Sequence, residues 1–335
     1  MPADGRRIAV LGPGSWGTGL ALLLCRNGHR VRLWGHDAGE VAALQRDREN
    51  RRFLPGIAFP ANLHPVTDID EALDRCDAVL IVVPSHAFTQ VVAMLAPRLT
   101  KSIGIAWATK GFAPDDNGLL HEVARRSLGD RHMAVISGPS FAAEVAKGLP
   151  TAVTVAATDP TFAQFVAGLL HSRRFRAYTS NDIVGVEVGG AAKNVLAIAT
   201  GIADGLDFGA NTRAALITRG LAELIRLGVA LGGARETFVG LAGLGDLVLT
   251  CTDNQSRNRR MGLGLAQGRS AAEVRQQIGQ EVEGLLTARS VRAIAQRHAV
   301  EMPICEQVYR VLYEGATPEE ATNALLERDI KAELD

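Results

Sequence analysis

Lysine is scarce in this chain. Of its 36 Lys and Arg residues only five are lysine, at positions 101, 110, 147, 193 and 331. Where arginine fills the basic positions, a retained lysine is weighted towards chemistry. Aromatic residues make up 5% and there are four cysteines, Cys25, Cys76, Cys251 and Cys305, none in a CxxC pair. That spacing argues against a disulfide frame or a zinc site and fits reduced thiols of a cytoplasmic protein. A formal net charge of zero provides no field to draw nucleic acid or a membrane surface. No signal segment precedes the first apolar strand, and no apolar run reads as a membrane span. Repeats, low-complexity tracts and metal-ligand spacings of His, Cys and carboxylates are also missing. What remains is a chain of 335 residues, 47% apolar and 21% charged, long enough for two domains.

The first half alternates apolar runs with helical patterns. Residues 7–11 (RIAVL) predict a strand, GPGSWG follows at 12–17, then an apolar helix pattern ending at Asn27-Gly28, then a strand at 31–34. A glycine-rich turn between strand and helix is the context a dinucleotide-binding GxGxxG needs. Gly12 permits the tight turn, Gly14 lets backbone approach a pyrophosphate, and Gly17 allows close packing. The helix N-terminus supplies unpaired amides and the positive end of a dipole. After the second strand, Asp37 is near the spacing that binds the ribose hydroxyls of NAD. His36 and Arg32, Arg46, Arg48, Arg51 and Arg52 could instead meet the 2′-phosphate of NADP, towards which the reading leans. Three further strands end in polar clusters, at Pro84-Ser85-His86, Thr109-Lys110-Gly111 and Gly138-Pro139-Ser140. The carboxyl edge of an open parallel sheet is where ligands bind. Taken singly each cluster is a turn or cap, as Ser140 could be for the segment after it. Residues 151–157 and 173–180 predict strands completing the sheet.

From about residue 185 the pattern is helical. GVEVGGAAKNVLAIATGIADG (185–205) reads as one helix crowded with glycines that weaken it. Lys193 interrupts its apolar run. Either burial makes it a proton-transfer group, or its stem packs while its head reaches water. Glu187 and Asn194, seven apart, share a face. Further on, Asp246 follows Gly243 and Gly245, and Ser256-Arg257-Asn258 opens another helical stretch. Arginine with Ser and Asn at a helix start suits a phosphate monoester, or is merely a basic exposed turn. Pro318 after Thr317, with Glu320 beyond, predicts a capping box.

Taken together, GPGSWG, VPSH, TKG, GPSFAAE, EVGGAAKNVLAIATG, NTRAALITRG, GLAGLGDLVLTCT and SRNRRMG resemble, in order and almost end to end, the bacterial NAD(P)-dependent glycerol-3-phosphate dehydrogenase family. The resemblance implies reversible hydride transfer between NAD(P)H and dihydroxyacetone phosphate, giving sn-glycerol 3-phosphate for phospholipid synthesis. It implies cofactor contacts at Ser15, Trp16, His36, Lys110, Ala142, Arg257, Glu281 and Glu283. It implies substrate contacts at Lys110, Gly138, Ser140, Lys193, Asp246, Ser256, Arg257 and Asn258, with Lys193 the proton-transfer residue. Two departures stand out: Ala192 where the family more often has Leu, and Glu281 where it more often has an apolar residue. A carboxylate there would disfavour a phosphorylated cofactor unless the contact is made by backbone.

The expected fold is α/β: a Rossmann-type doubly wound sheet over 1–185, then an all-α substrate-binding domain over 186–335. The expected partners are NADP or NAD and a small phosphorylated substrate, with a homodimer implied by the resemblance. A related hydroxy-acid dehydrogenase and a non-catalytic dinucleotide sensor are the alternatives.

Overall fold

The computed structural model describes residues 5–327, so Lys331 lies outside it. Ten strands run along the first half: β1 (Arg7–Leu11), β2 (Arg30–Trp34), β3 (Glu49–Asn50), β4 (Leu54–Ala58), β5 (Leu63–Val66), β6 (Ala78–Ile81), β7 (Ile105–Trp107), β8 (Met133–Ser137), β9 (Thr151–Ala157) and β10 (Phe175–Ser180). Eight form one sheet in the order β10-β9-β8-β7-β6-β1-β2-β5, while β3 and β4 make a separate hairpin. Every described residue assigned to a strand precedes Asp182, and the ordered elements after it are helical.

The central strands are apolar along their length because both sheet faces are covered. Helices Ser15–Arg26 and Pro160–Leu170 cover one face; helices Ser85–Leu95 and Leu120–Leu128 cover the other. Strand order reverses between β1 and β6, the switch point at which doubly wound sheets bind ligands. The sheet is not wholly parallel: β9 runs antiparallel to β8, and β10 then pairs parallel with β9.

The segment around Lys193 forms the long helix Ile183–Gly205, with Asp182 accepting a hydrogen bond from the Gly185 amide at 2.8 Å to cap it. Its glycines mark close approaches of other backbone. A side chain at Gly201 would overlap the Arg259 carbonyl, and one at Gly189 would press on the Ala242 carbonyl. These contacts bring helix Arg257–Ala266 and the turn Leu241–Gly245 against the central helix, each carrying candidate site residues at its end. Contrary to the sequence expectation, this helix is long and apolar enough to cross a membrane by length and composition, but 94% of its apolar window is buried by the rest of the chain. The helical half builds its core around it, each fully buried Val, Leu or Ile contributing about 1.5–3 kcal/mol. All four cysteines are buried and unpaired.

Candidate active site

Strands β8, β7, β6 and β1 lie side by side and parallel, so the loops at their carboxyl ends share one edge. Between that edge and the helical half is a cleft of about 490 Å³. Gly14, Ser15, Trp16, Lys110, Ser140, Ala142, Lys193, Ser256, Arg257, Asn258, Glu281 and Glu283 line it. The remaining expected residues stand elsewhere. Gly12 and Gly17 shape the glycine turn from behind, Gly138 and Asp246 lie beneath the wall, and His36 is exposed outside the lining.

Lys193 is 5% exposed, so its head does not reach open water. Its Nζ donates to Asp246 Oδ1 at 2.5 Å and to Thr250 Oγ1 at 2.6 Å. Lys110, arriving from the end of β7, donates to the other carboxylate oxygen, Oδ2, at 2.5 Å. One buried carboxylate therefore bridges two ammonium groups, leaving a net single positive charge. Burial lowers the Lys193 pKa to about 8, with the Asp246 charge working against that fall and Lys110 adding to it. For Asp246, burial alone would raise its pKa, but the two lysines more than offset this and hold it below the usual carboxylate range.

At the opposite wall Ser256 caps helix Arg257–Ala266, its Oγ accepting from the Arg259 amide at 3.1 Å. Arg257 is half-buried in the cleft, and desolvation pulls its pKa below the usual arginine value. Asn258 turns inward: its amide nitrogen donates to Asn194 Oδ1 at 2.9 Å and its oxygen accepts from the Gly284 amide at 2.9 Å. Asn194 thus braces Asn258 and does not orient Lys193. Glu283 accepts from the Ser85 amide at 3.1 Å and the Ser85 hydroxyl at 2.7 Å, and burial pushes its pKa up to about 7. Glu281 points back to Arg275, 3.4 Å away, so its charge is turned partly from the cleft. Ser140 is no helix cap; its hydroxyl donates to the Gly138 carbonyl at 3.0 Å and helix Ala142–Lys147 starts without a side-chain cap.

The glycine turn fits a dinucleotide. Gly12 has φ +111°, a value side chains rarely tolerate, and a side chain at Gly14 would meet open space. Helix Ser15–Arg26 begins with no side-chain cap and no acidic residue in its first turn, so its dipole end is open to an anion. Trp16 Nε1, buried in the same turn, has no hydrogen-bond partner. Of the residues weighed for cofactor choice, Asp37 caps helix Ala38–Asp47, Arg32 and Arg48 donate to backbone carbonyls, and Arg46, Arg51 and Arg52 pair with carboxylates.

Thr250 was not singled out from sequence, although its position four residues after Asp246 places both on one helix face. Phe53 and Leu54 also line the cleft, brought there by the short β3–β4 hairpin, which has no periodic pattern to reveal it. A larger groove, about 1120 Å³, lies in the helical half among Phe208, Val229 and Leu326, and none of the expected site residues lines it.

A dinucleotide turn at the switch point, facing a buried lysine–carboxylate centre, defines a nicotinamide-dependent oxidoreductase of the Rossmann type. Comparison with known proteins narrows the class. Models of the NAD-dependent glycerol-3-phosphate dehydrogenase N-terminus and C-terminus match residues 7–163 and 182–323. A glycerol-3-phosphate dehydrogenase [NAD(P)+] of Aeromonas hydrophila is 55% identical over 333 residues, covering 99% of this chain and 100% of that one. One from Idiomarina loihiensis is 54% identical over 329 residues, 98% and 99% of the respective chains. The crystal structure of glycerol-3-phosphate dehydrogenase from Coxiella burnetii superposes with a TM-score of 0.95 at 52% identity, covering 97% of this chain and 99% of that one. The chain belongs to the NAD-dependent glycerol-3-phosphate dehydrogenase family, whose cofactor is NAD or NADP.

Proposed function

We propose that this chain reversibly reduces dihydroxyacetone phosphate to sn-glycerol 3-phosphate, with Lys193 as the proton donor and the product feeding glycerophospholipid synthesis. The observation that carries the reading is the buried Lys193 held by Asp246 and Thr250 at the cleft wall. An ammonium has three donors. Two are spent on those partners, which leaves one for a substrate oxygen in the cleft. The bound nicotinamide supplies the hydride to the ketone carbon. As charge grows on the ketone oxygen, the fixed ammonium stabilises it and then delivers its proton; in the reverse direction neutral Lys193 accepts one. Asp246 keeps the donor aimed, and Lys110 adds a second positive charge beside the same oxygen. Arg257 and the free hydroxyl hydrogen of Ser256 hold the phosphate, so that remote binding energy positions the ketone. A cytoplasmic homodimer, paired through the helical half, completes the proposal; sedimentation of the purified protein at twice the chain mass of 35.6 kDa is the expected result.

The deciding experiment follows NADPH and NADH absorbance on addition of dihydroxyacetone phosphate, wild type beside Lys193→Ala. The wild type is expected to oxidise the cofactor, and the folded variant to lose about 10²–10⁴-fold in kcat. Inertness of the wild type with both cofactors would remove the substrate assignment.

A further inference from the structure

Away from the cleft, a second buried carboxylate joins the sheet to the central helix. Glu187 is 5% exposed and its Oε1 accepts from Trp107 Nε1 at 3.1 Å and from the His121 amide at 3.0 Å. Its Oε2 meets His121 Nδ1 at 2.6 Å. The three partners come from the end of β7 and the start of helix Leu120–Leu128, neither of which belongs to the helical half.

We infer that Glu187, with Trp107 and His121, is a positioning device that sets the separation of Lys110 and Lys193. Two short rigid arms leave this joint. One runs along the central helix from Glu187 to Lys193, six residues or about 9 Å of axis. The other runs from Trp107 to Lys110, three residues on, stiffened by Thr109, whose hydroxyl donates to the Val83 carbonyl at 2.8 Å. Trp107 is itself wholly buried, with Phe88 set edge-on 5.9 Å away. Both arms close on Asp246, one ammonium to each carboxylate oxygen. The result is a ring of contacts: Glu187 to Trp107 to Lys110 to Asp246 to Lys193 and back along the helix. Opening the ring at Trp107 frees the strand end to shift against the helix, and a misplacement of about 1 Å at a reacting group costs on the order of 100-fold in rate. A buried carboxyl group with three polar partners is also exacting, since each buried polar group must be matched.

This inference rests on the proposed reaction, so its test includes a readout independent of substrate. Trp107→Phe removes one donor while keeping an aromatic side chain; Glu187→Leu removes the acceptor; Glu187→Gln keeps an acceptor for Trp107 and the His121 amide and offers an NH to the imidazole. Kinetics with dihydroxyacetone phosphate and NADPH should show kcat lowered about tenfold in Trp107→Phe and more in Glu187→Leu, with the cofactor KM within about twofold of wild type and Glu187→Gln within about threefold. A crystal structure of Trp107→Phe should show the Lys110–Asp246 contact opened beyond hydrogen-bond distance. Should Glu187→Leu fail to fold, Trp107→Phe decides. Three results each overturn the inference: wild-type kcat in Trp107→Phe, a Lys110–Asp246 contact kept at hydrogen-bond distance in its structure, or a Glu187→Gln loss equal to that of Glu187→Leu. A wild type without turnover defeats the substrate assignment instead, and the structural comparison still judges the joint.

Discussion

With its pKa lowered to about 8 by burial, Lys193 as the proposed proton donor makes the two directions of the proposed reaction respond oppositely to alkali. Below about 8 Lys193 carries its proton and can donate; above it the amine is neutral and can accept. The kcat for ketone reduction should therefore fall as pH rises through about 8, and the kcat for alcohol oxidation should rise through the same point. Paired pH profiles check this, and parallel profiles in the two directions would assign the titration to another group. At the far wall, Arg257→Gln should raise the KM for the proposed phosphorylated ketone by roughly 30-fold or more, with a smaller rise in the cofactor KM because Arg257 is also an expected cofactor contact. A hydroxy-acid substrate lacking phosphate would show no such dependence. Sequence reading identified Lys193 because it interrupts an apolar run, Lys110 because it ends a strand, Asp246 because it follows two glycines and Arg257 because it stands with Ser and Asn at a helix start. It could not say which partner each would take. Asn194 and Asn258 hold each other, and Thr250 holds the lysine, because those pairings depend on how three helices cross.

At the scale of elements, helix crossings are set by residues that contribute no side chain. Gly201 allows helix Arg257–Ala266 to lie with its backbone against the central helix. Gly201→Ala is expected to lower stability by about 1–3 kcal/mol, read as a shift in urea midpoint, since the added methyl must push a carbonyl aside. Because Ser256 and Arg257 open that same helix, the variant should also weaken phosphate binding more than cofactor binding. The central strands β1, β6, β7 and β8 were legible for a plain reason: burial on both faces leaves mostly apolar side chains, whereas β2 and β10 carry exposed arginines and were marked by their flanking turns. β3, β4 and β5 were not, being short, partly exposed and interrupted by Pro55 and Pro65. The antiparallel β8–β9 pairing was equally hidden, since strand direction is decided by the path of the connection through helix Ala142–Lys147. The capping box at Thr317 formed as its spacing predicts, with Thr317 and Glu320 each bonding the other's amide.

For the molecule as a whole, the central helix is the member that both halves share, touching β8 and β9 on one side and at least six helices on the other. The helix is long and apolar enough to pass for a membrane segment, and the later helices hide much of it. During synthesis the chain therefore passes through an interval in which this helix has left the ribosome and its cover has not. A chain stopped near residue 206 would be fixed in that interval, and it should sediment with membranes or aggregate, whereas the full chain should remain in the supernatant. Recovery of the short chain as a soluble monomer would refute this. Protein quality control would then meet any frameshift or premature stop in the second half as a stranded hydrophobic rod, so truncation should be purged faster than a point mutation of equal catalytic cost.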